Sequence, residues 1–118
     1  MISEKWDEKV IELAKSLINC QSYSGHEDKA AEALKAFMKE TGFFDEIETD
    51  CYGNVIGHIK GKNHGLKVLF DGHIDTVPVG NLKDWKHDPF HAVSISSKTP
   101  VSFIYAFKAS AALWKRSC

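Results

Sequence analysis

Apolar residues in the first part of the chain recur at helical spacing. Trp6, Val10, Leu13, Ala14, Leu17 and Ile18 fall on one face, which predicts an amphipathic helix over about residues 4–20 with Ser3 as its N-cap. The polar stretch Gln21-Ser22-Tyr23-Ser24-Gly25 breaks it. Ser24 followed three residues on by Glu27 reads as a capping box, in which the two side chains satisfy free backbone N–H groups at a helix start. Ala30, Ala31, Leu34, Phe37 and Met38 then share one face of a second helix, and Gly42 supplies its stop signal. Beyond Gly42 the period shortens to two. Residues 45–49 and 54–59 read as strands around the turn Asp50-Cys51-Tyr52-Gly53. A second turn, Gly61-Lys62-Asn63-His64-Gly65, leads into Leu66-Lys67-Val68-Leu69-Phe70, a short apolar run typical of a buried strand. Helix, helix, hairpin and buried strand predict an α/β fold, with residues 66–70 central in a helix-flanked sheet.

Composition narrows the classes of function. The 118 residues are 43% hydrophobic and 26% charged with 8 Gly and 3 Pro, a globular composition for about one domain. Fifteen Lys and Arg against sixteen Asp and Glu leave a net charge of −1, which offers nothing to a phosphate backbone; nucleic acid is not an expected partner. No apolar run approaches the roughly 20 residues that span a bilayer, so no membrane is expected either. The charged N-terminus lacks the apolar segment of a signal peptide. Three cysteines, Cys20, Cys51 and Cys118, are odd in number and widely spaced, which suits a reducing compartment. The expectation is a cytoplasmic protein.

The charge is uneven along the chain. All sixteen acids lie before residue 94, whereas residues 94–118 carry four basic residues, six serines, and neither acid nor histidine. Such a shift marks a domain edge, a tail or a foreign segment.

The chemistry-bearing segment follows the apolar run directly: Asp71-Gly72-His73-Ile74-Asp75-Thr76-Val77-Pro78. Open α/β sheets place ligands at the carboxyl ends of their strands. In His73-x-Asp75 the two side chains share one side of an extended segment, because the strand period is two. A neutral imidazole is a good zinc ligand, and a carboxylate on its other ring nitrogen fixes tautomer and orientation. The same spacing also describes a strand-end histidine bonded to a neighbouring carboxylate with no metal.

Several of these motifs in order resemble one family. Val68-Leu69-Phe70-Asp71-Gly72-His73-Ile74-Asp75-Thr76-Val77-Pro78 is similar to the first metal-ligand motif of the zinc-dependent aminoacylase/carboxypeptidase family, which includes acetylornithine deacetylase, succinyl-diaminopimelate desuccinylase and related dipeptidases. Trp85-Lys86-His87-Asp88-Pro89-Phe90 resembles that family's W-x-x-D-P-F stretch. The upstream order of helix, Ser22-Tyr23-Ser24-Gly25-His26-Glu27, helix and Gly53-Asn54-Val55 is similar too. The wording of residues 74–81 is nearest to a subgroup described as selenium-metabolism hydrolases.

The resemblance implies a residue-by-residue expectation. His73 matches a ligand of one of two zinc (or cobalt) ions, and Asp75 the catalytic-site carboxylate that orients it. It implies hydrolysis of an N-acyl amino acid or small peptide amide by metal-activated water, with two metals about 3.5–4 Å apart polarising the carbonyl. The substrate is then a small molecule or peptide. The family also needs a bridging Asp in a Gly-Arg-Gly-x-x-Asp segment, a Glu-Glu pair whose first member is the general base, a further acidic ligand and a late His; this sequence has no counterpart for them. The expectation is therefore residues 1–93 as the N-terminal part of a metallohydrolase catalytic domain, an incomplete portion of its mixed sheet. Residues 94–118 read as an atypical acid-free tail of the kind a frame-shift produces. The chain is expected to be inactive alone. A different class of reading is a small α/β binding or interaction module without catalysis.

Other candidates have plainer readings. His26, His58, His64, His87 and His91 read as surface residues, although His87 and His91 lie near Asp88. Trp6 and Phe37 read as core, and Trp85 as packed under the His73 loop. The Lys5, Glu8, Lys9, Glu12, Lys15 series reads as a solvated helix face. Cys20 and Cys51 have no neighbouring base.

Overall fold

A computed structural model describes residues 4–63 and 65–92. Helix α1 covers Glu4–Ile18 and helix α2 Asp28–Thr41. Both match their predicted apolar periodicity, and α1 ends two residues early. The chain leaves it through Gln21, whose φ of 50° lies in the left-handed region. Gly42 terminates α2 with φ 66°, its N–H bonded to the Lys39 carbonyl, a conformation that costs a residue with a Cβ but not glycine. The helices pack on each other at their ends. Trp6 stacks obliquely on Phe43 with ring centroids 5.0 Å apart, while Lys9 reaches Glu40 at 2.7 Å. Trp6 and Phe37 are half-buried, and Val10, predicted on the same face as Trp6, is exposed. Ser3 lies outside the described residues.

Strands β1 (Glu46–Thr49) and β2 (Val55–His58) form the predicted hairpin, antiparallel, with Ile47 opposite Gly57 and Glu48 opposite Ile56. Asp50 builds its turn. One carboxylate oxygen accepts from the Tyr52 and Asn54 amides, both at 2.9 Å, and the other from the Asn54 side chain at 2.7 Å. These bonds favour the ionised form, so the Asp50 carboxyl is held below its ordinary pKa, the Asn54 side-chain bond contributing most. At Gly57 there is no room for a side chain: a Cβ there would run into Met38 Cε and the Phe44 ring.

Two expectations need correction. Residues 66–70 do not form a central strand. They lie outside every helix and strand, and Leu66 and Phe70 are 99% and 92% exposed. An apolar run becomes a buried strand only with neighbours on its edges and cover on its faces. Among the described residues the sheet has two strands, β1 and β2, and neither reaches it. The described architecture is thus a small α/β arrangement of two helices and a hairpin.

The second correction is the capping box. Glu27, not Ser24, is the N-cap of α2, and its carboxylate accepts from the Gly25 amide at 2.7 Å. Ser24 has been drawn away to a partner far along the chain. The composition break and the tail at 94–118 lie outside the described residues.

Candidate functional site

Two short segments meet to hold His73 and Asp75 in place. The segment after α1 supplies four polar contacts, one of them the Ser22 carbonyl accepting from the Thr76 hydroxyl at 3.2 Å. Ser22, 2% exposed, donates its hydroxyl to the Ile74 carbonyl at 2.7 Å, and its own carbonyl accepts the Thr76 amide at 2.6 Å. Tyr23 and Thr76 form an isolated parallel bridge. The Ser24 hydroxyl donates to Asp75 Oδ2. Residues 74–76 are therefore gripped on both sides of Asp75, through backbone and side chain.

The other oxygen of Asp75 serves the histidine. His73 Nδ1 lies 3.0 Å from Asp75 Oδ1 and 3.1 Å from the Asp75 carbonyl. Both oxygens only accept, so Nδ1 carries the hydrogen; in the neutral ring the lone pair then sits on Nε2. Nε2 has no hydrogen-bond partner among the described residues, and the side chain is 48% exposed. The Ser24 hydroxyl is the leading cause holding the Asp75 carboxyl below its ordinary pKa. Desolvation opposes it, and the hydrogen bond and charge of His73 add to it. The site thus presents one tautomer of an accessible imidazole, backed by an anion that is itself anchored.

The stretch after the motif forms a separate feature. The Trp85 indole donates to the Val79 carbonyl at 2.8 Å, and Asn81 caps a single 3-10 turn over Leu82–Asp84. Trp85, expected to pack under the His73 loop, is 37% exposed, and its N–H is used within its own loop. Phe90 meets Tyr23 edge-on at 6.2 Å and Pro89 is buried, which seats this loop against the segment after α1. A shallow depression runs along Leu82–Phe90 and does not include His73 or Asp75. His26, His87, His91 and Asp71 are exposed, as is His58, which pairs with Glu48 at 3.0 Å. His64 and Cys118 lie outside the described residues. Cys20 donates to the Ser16 carbonyl. Among the described residues no helix is long and apolar enough to cross a membrane.

Sequence reasoning named His73 and Asp75 but not Ser22 or Ser24 as their supports. Their partners lie 51 and 52 positions away, and no local periodicity announces such a link.

Comparison with known proteins adds the family. The chain is 39% identical over 82 residues to a succinyl-diaminopimelate desuccinylase of Wolbachia pipientis subsp. Culex pipiens (strain wPip), covering 68% of this chain and 20% of that protein. It is 33% identical over 96 residues to the desuccinylase of Wigglesworthia glossinidia brevipalpis, covering 81% of this chain and 24% of the relative. The Escherichia coli (strain K12) protein YgeY is 38% identical over 80 residues, 67% of this chain and 19% of YgeY. No family model and no solved structure matches the chain. These likenesses, with the motif order, define a hydrolase-family chain. It belongs to the succinyl-diaminopimelate desuccinylase-like family of peptidases and deacylases, and it spans about a fifth to a quarter of the length of these relatives.

Proposed function

We propose that this chain carries the His-x-Asp portion of a metal-dependent amidohydrolase centre, with His73 a metal ligand through Nε2 and Asp75 the carboxylate that orients it. The supporting observation is the 3.0 Å contact of His73 Nδ1 with Asp75 Oδ1, which commits the other ring nitrogen to an outward lone pair. The metal is zinc or cobalt, and the substrate class is a small N-acyl amino acid or peptide; the relatives named desuccinylases favour an N-succinyl amide.

The described residues do not by themselves make a zinc centre. A catalytic zinc takes about three protein ligands, and among the described residues no group of three or more His, Cys, Asp or Glu is placed to hold an ion. No hydrolytic step is therefore assigned to them. The partial site does not turn over alone, since residues 94–118 contain no Asp, Glu or His.

The test is an assay of the full chain on N-succinyl and N-acetyl amino acids with added zinc or cobalt. Hydrolysis at the level of the metal-only blank is expected. Turnover that disappears in His73→Ala would overturn the incomplete-site reading and require a base elsewhere in the chain.

A further inference from the structure

Residues 66–71 are self-complementary. Leu66, Val68, Leu69 and Phe70 are largely exposed, Lys67 and Asp71 are exposed beside them, and glycines bound the segment at positions 65 and 72. No hydrogen bond joins residues 65–72 to any other described residue. An exposed segment of this kind, rich in β-formers, free of proline and with its backbone groups unpaired, is a template for strand pairing.

We propose that this segment is a docking surface for a second copy of the chain, paired antiparallel about a two-fold axis at Leu69. Antiparallel pairing centred there sets residue 69 opposite itself, 68 opposite 70, 67 opposite 71 and 66 opposite 72. Lys67 of each copy then faces Asp71 of the other, so the interface holds two opposite-charge pairs. Val68 faces Phe70 twice, a β-branched residue against an aromatic one, the kind of cross-strand neighbour that stabilises a sheet. Leu66 faces Gly72, which has no side chain to obstruct it. Shifting the centre to Val68 would put Lys67 opposite Leu69 and leave both charges without partners. The pattern therefore selects one register as well as one partner. The contact is isologous, the same segment meeting itself across the two-fold axis.

One paired strand buries little area, so the dimer is weak and dissociates on dilution. Sedimentation velocity of the full chain over a concentration series is expected to show a monomer–dimer equilibrium. Leu69→Lys, which sets two ammonium groups against each other on the axis, should abolish the dimer. Lys67→Asp and Asp71→Lys should each raise the dimer dissociation constant by roughly tenfold, and K67D/D71K together should restore it. These three positions are exposed, and far-UV circular dichroism should report unchanged α1 and α2. A chain that stays monomeric to roughly 0.5 mM overturns the proposal, as does a dimer indifferent to all four variants. Charge variants that both weaken the dimer but fail to rescue each other overturn the register. Amide protection of residues 66–70 in a monomer, lost on removal of residues 94–118, assigns the surface to the chain's own tail and overturns it too.

Discussion

Ser24 and Asp75 lie 51 positions apart and are joined directly, the serine hydroxyl donating to Oδ2 of the carboxylate whose Oδ1 faces His73. The imidazole is therefore oriented through two links, the first of which starts in the segment that leaves α1. Loss of the serine hydroxyl would leave the carboxylate with His73 as its remaining side-chain partner.

The buried Ser22 hydroxyl is the firmest point of this seam. Ser22→Ala removes its bond to the Ile74 carbonyl and is expected to cost about 1 kcal/mol in unfolding free energy. Hydrogen exchange at the Thr76 amide, which bonds the Ser22 carbonyl, should accelerate while amides within α2 keep their protection.

Gly57 carries a packing constraint rather than a conformational one. Gly57→Ala forces a methyl group into Met38 and Phe44, and overpacking of this kind costs about 1–3 kcal/mol. Chemical denaturation checks the loss. Gly53→Ala, with open space around the new carbon, should cost less and only through its φ of 87°.

The hairpin turn should weaken in acid. Asp50 has a folded pKa below its unfolded one, so it stabilises the turn at pH values above the unfolded pKa, and that contribution is lost as pH falls through the folded value. Nuclear magnetic resonance of the Tyr52 and Asn54 amides should show their protection falling with acid; Asp50→Asn should flatten that dependence.

Zinc binding to the chain should be weak and should depend on both residues of the pair. Calorimetry is expected to give a dissociation constant above roughly 0.1 mM, lost in His73→Ala and weakened about tenfold or more in Asp75→Asn. Submicromolar binding by the monomer would show that further ligands exist.

The helices and hairpin were legible because local periodicity determines them: Trp6 to Ile18 and Ala30 to Met38 repeat on helical faces, and Asp50 to Gly53 is a turn by its residue types alone. The His73–Asp75 pair was legible for a similar reason, since a spacing of two is enough to bring them together. Residues 66–70 were misread because an apolar run signals a need for cover and does not supply it. Ser24 was misread because its side chain serves a distant partner. As an N-cap its oxygen would accept from a nearby backbone amide, whereas here its hydroxyl donates to the Asp75 carboxylate, a charged acceptor on a distant segment. Propensity describes the first role and is silent about the second.

The seam between residues 22–24 and 74–76 has a further consequence in time. Helices and hairpins close over short stretches and form early, whereas contacts more than fifty positions apart must wait for the intervening chain to be ordered. Asn19 extends the same delay, since its side chain accepts the Ala92 amide 73 positions away. The anchoring of the His73–Asp75 pair is thus a late event in folding, and on the way out it is an early casualty: Asp75 can lose its serine partner while both helices are still intact.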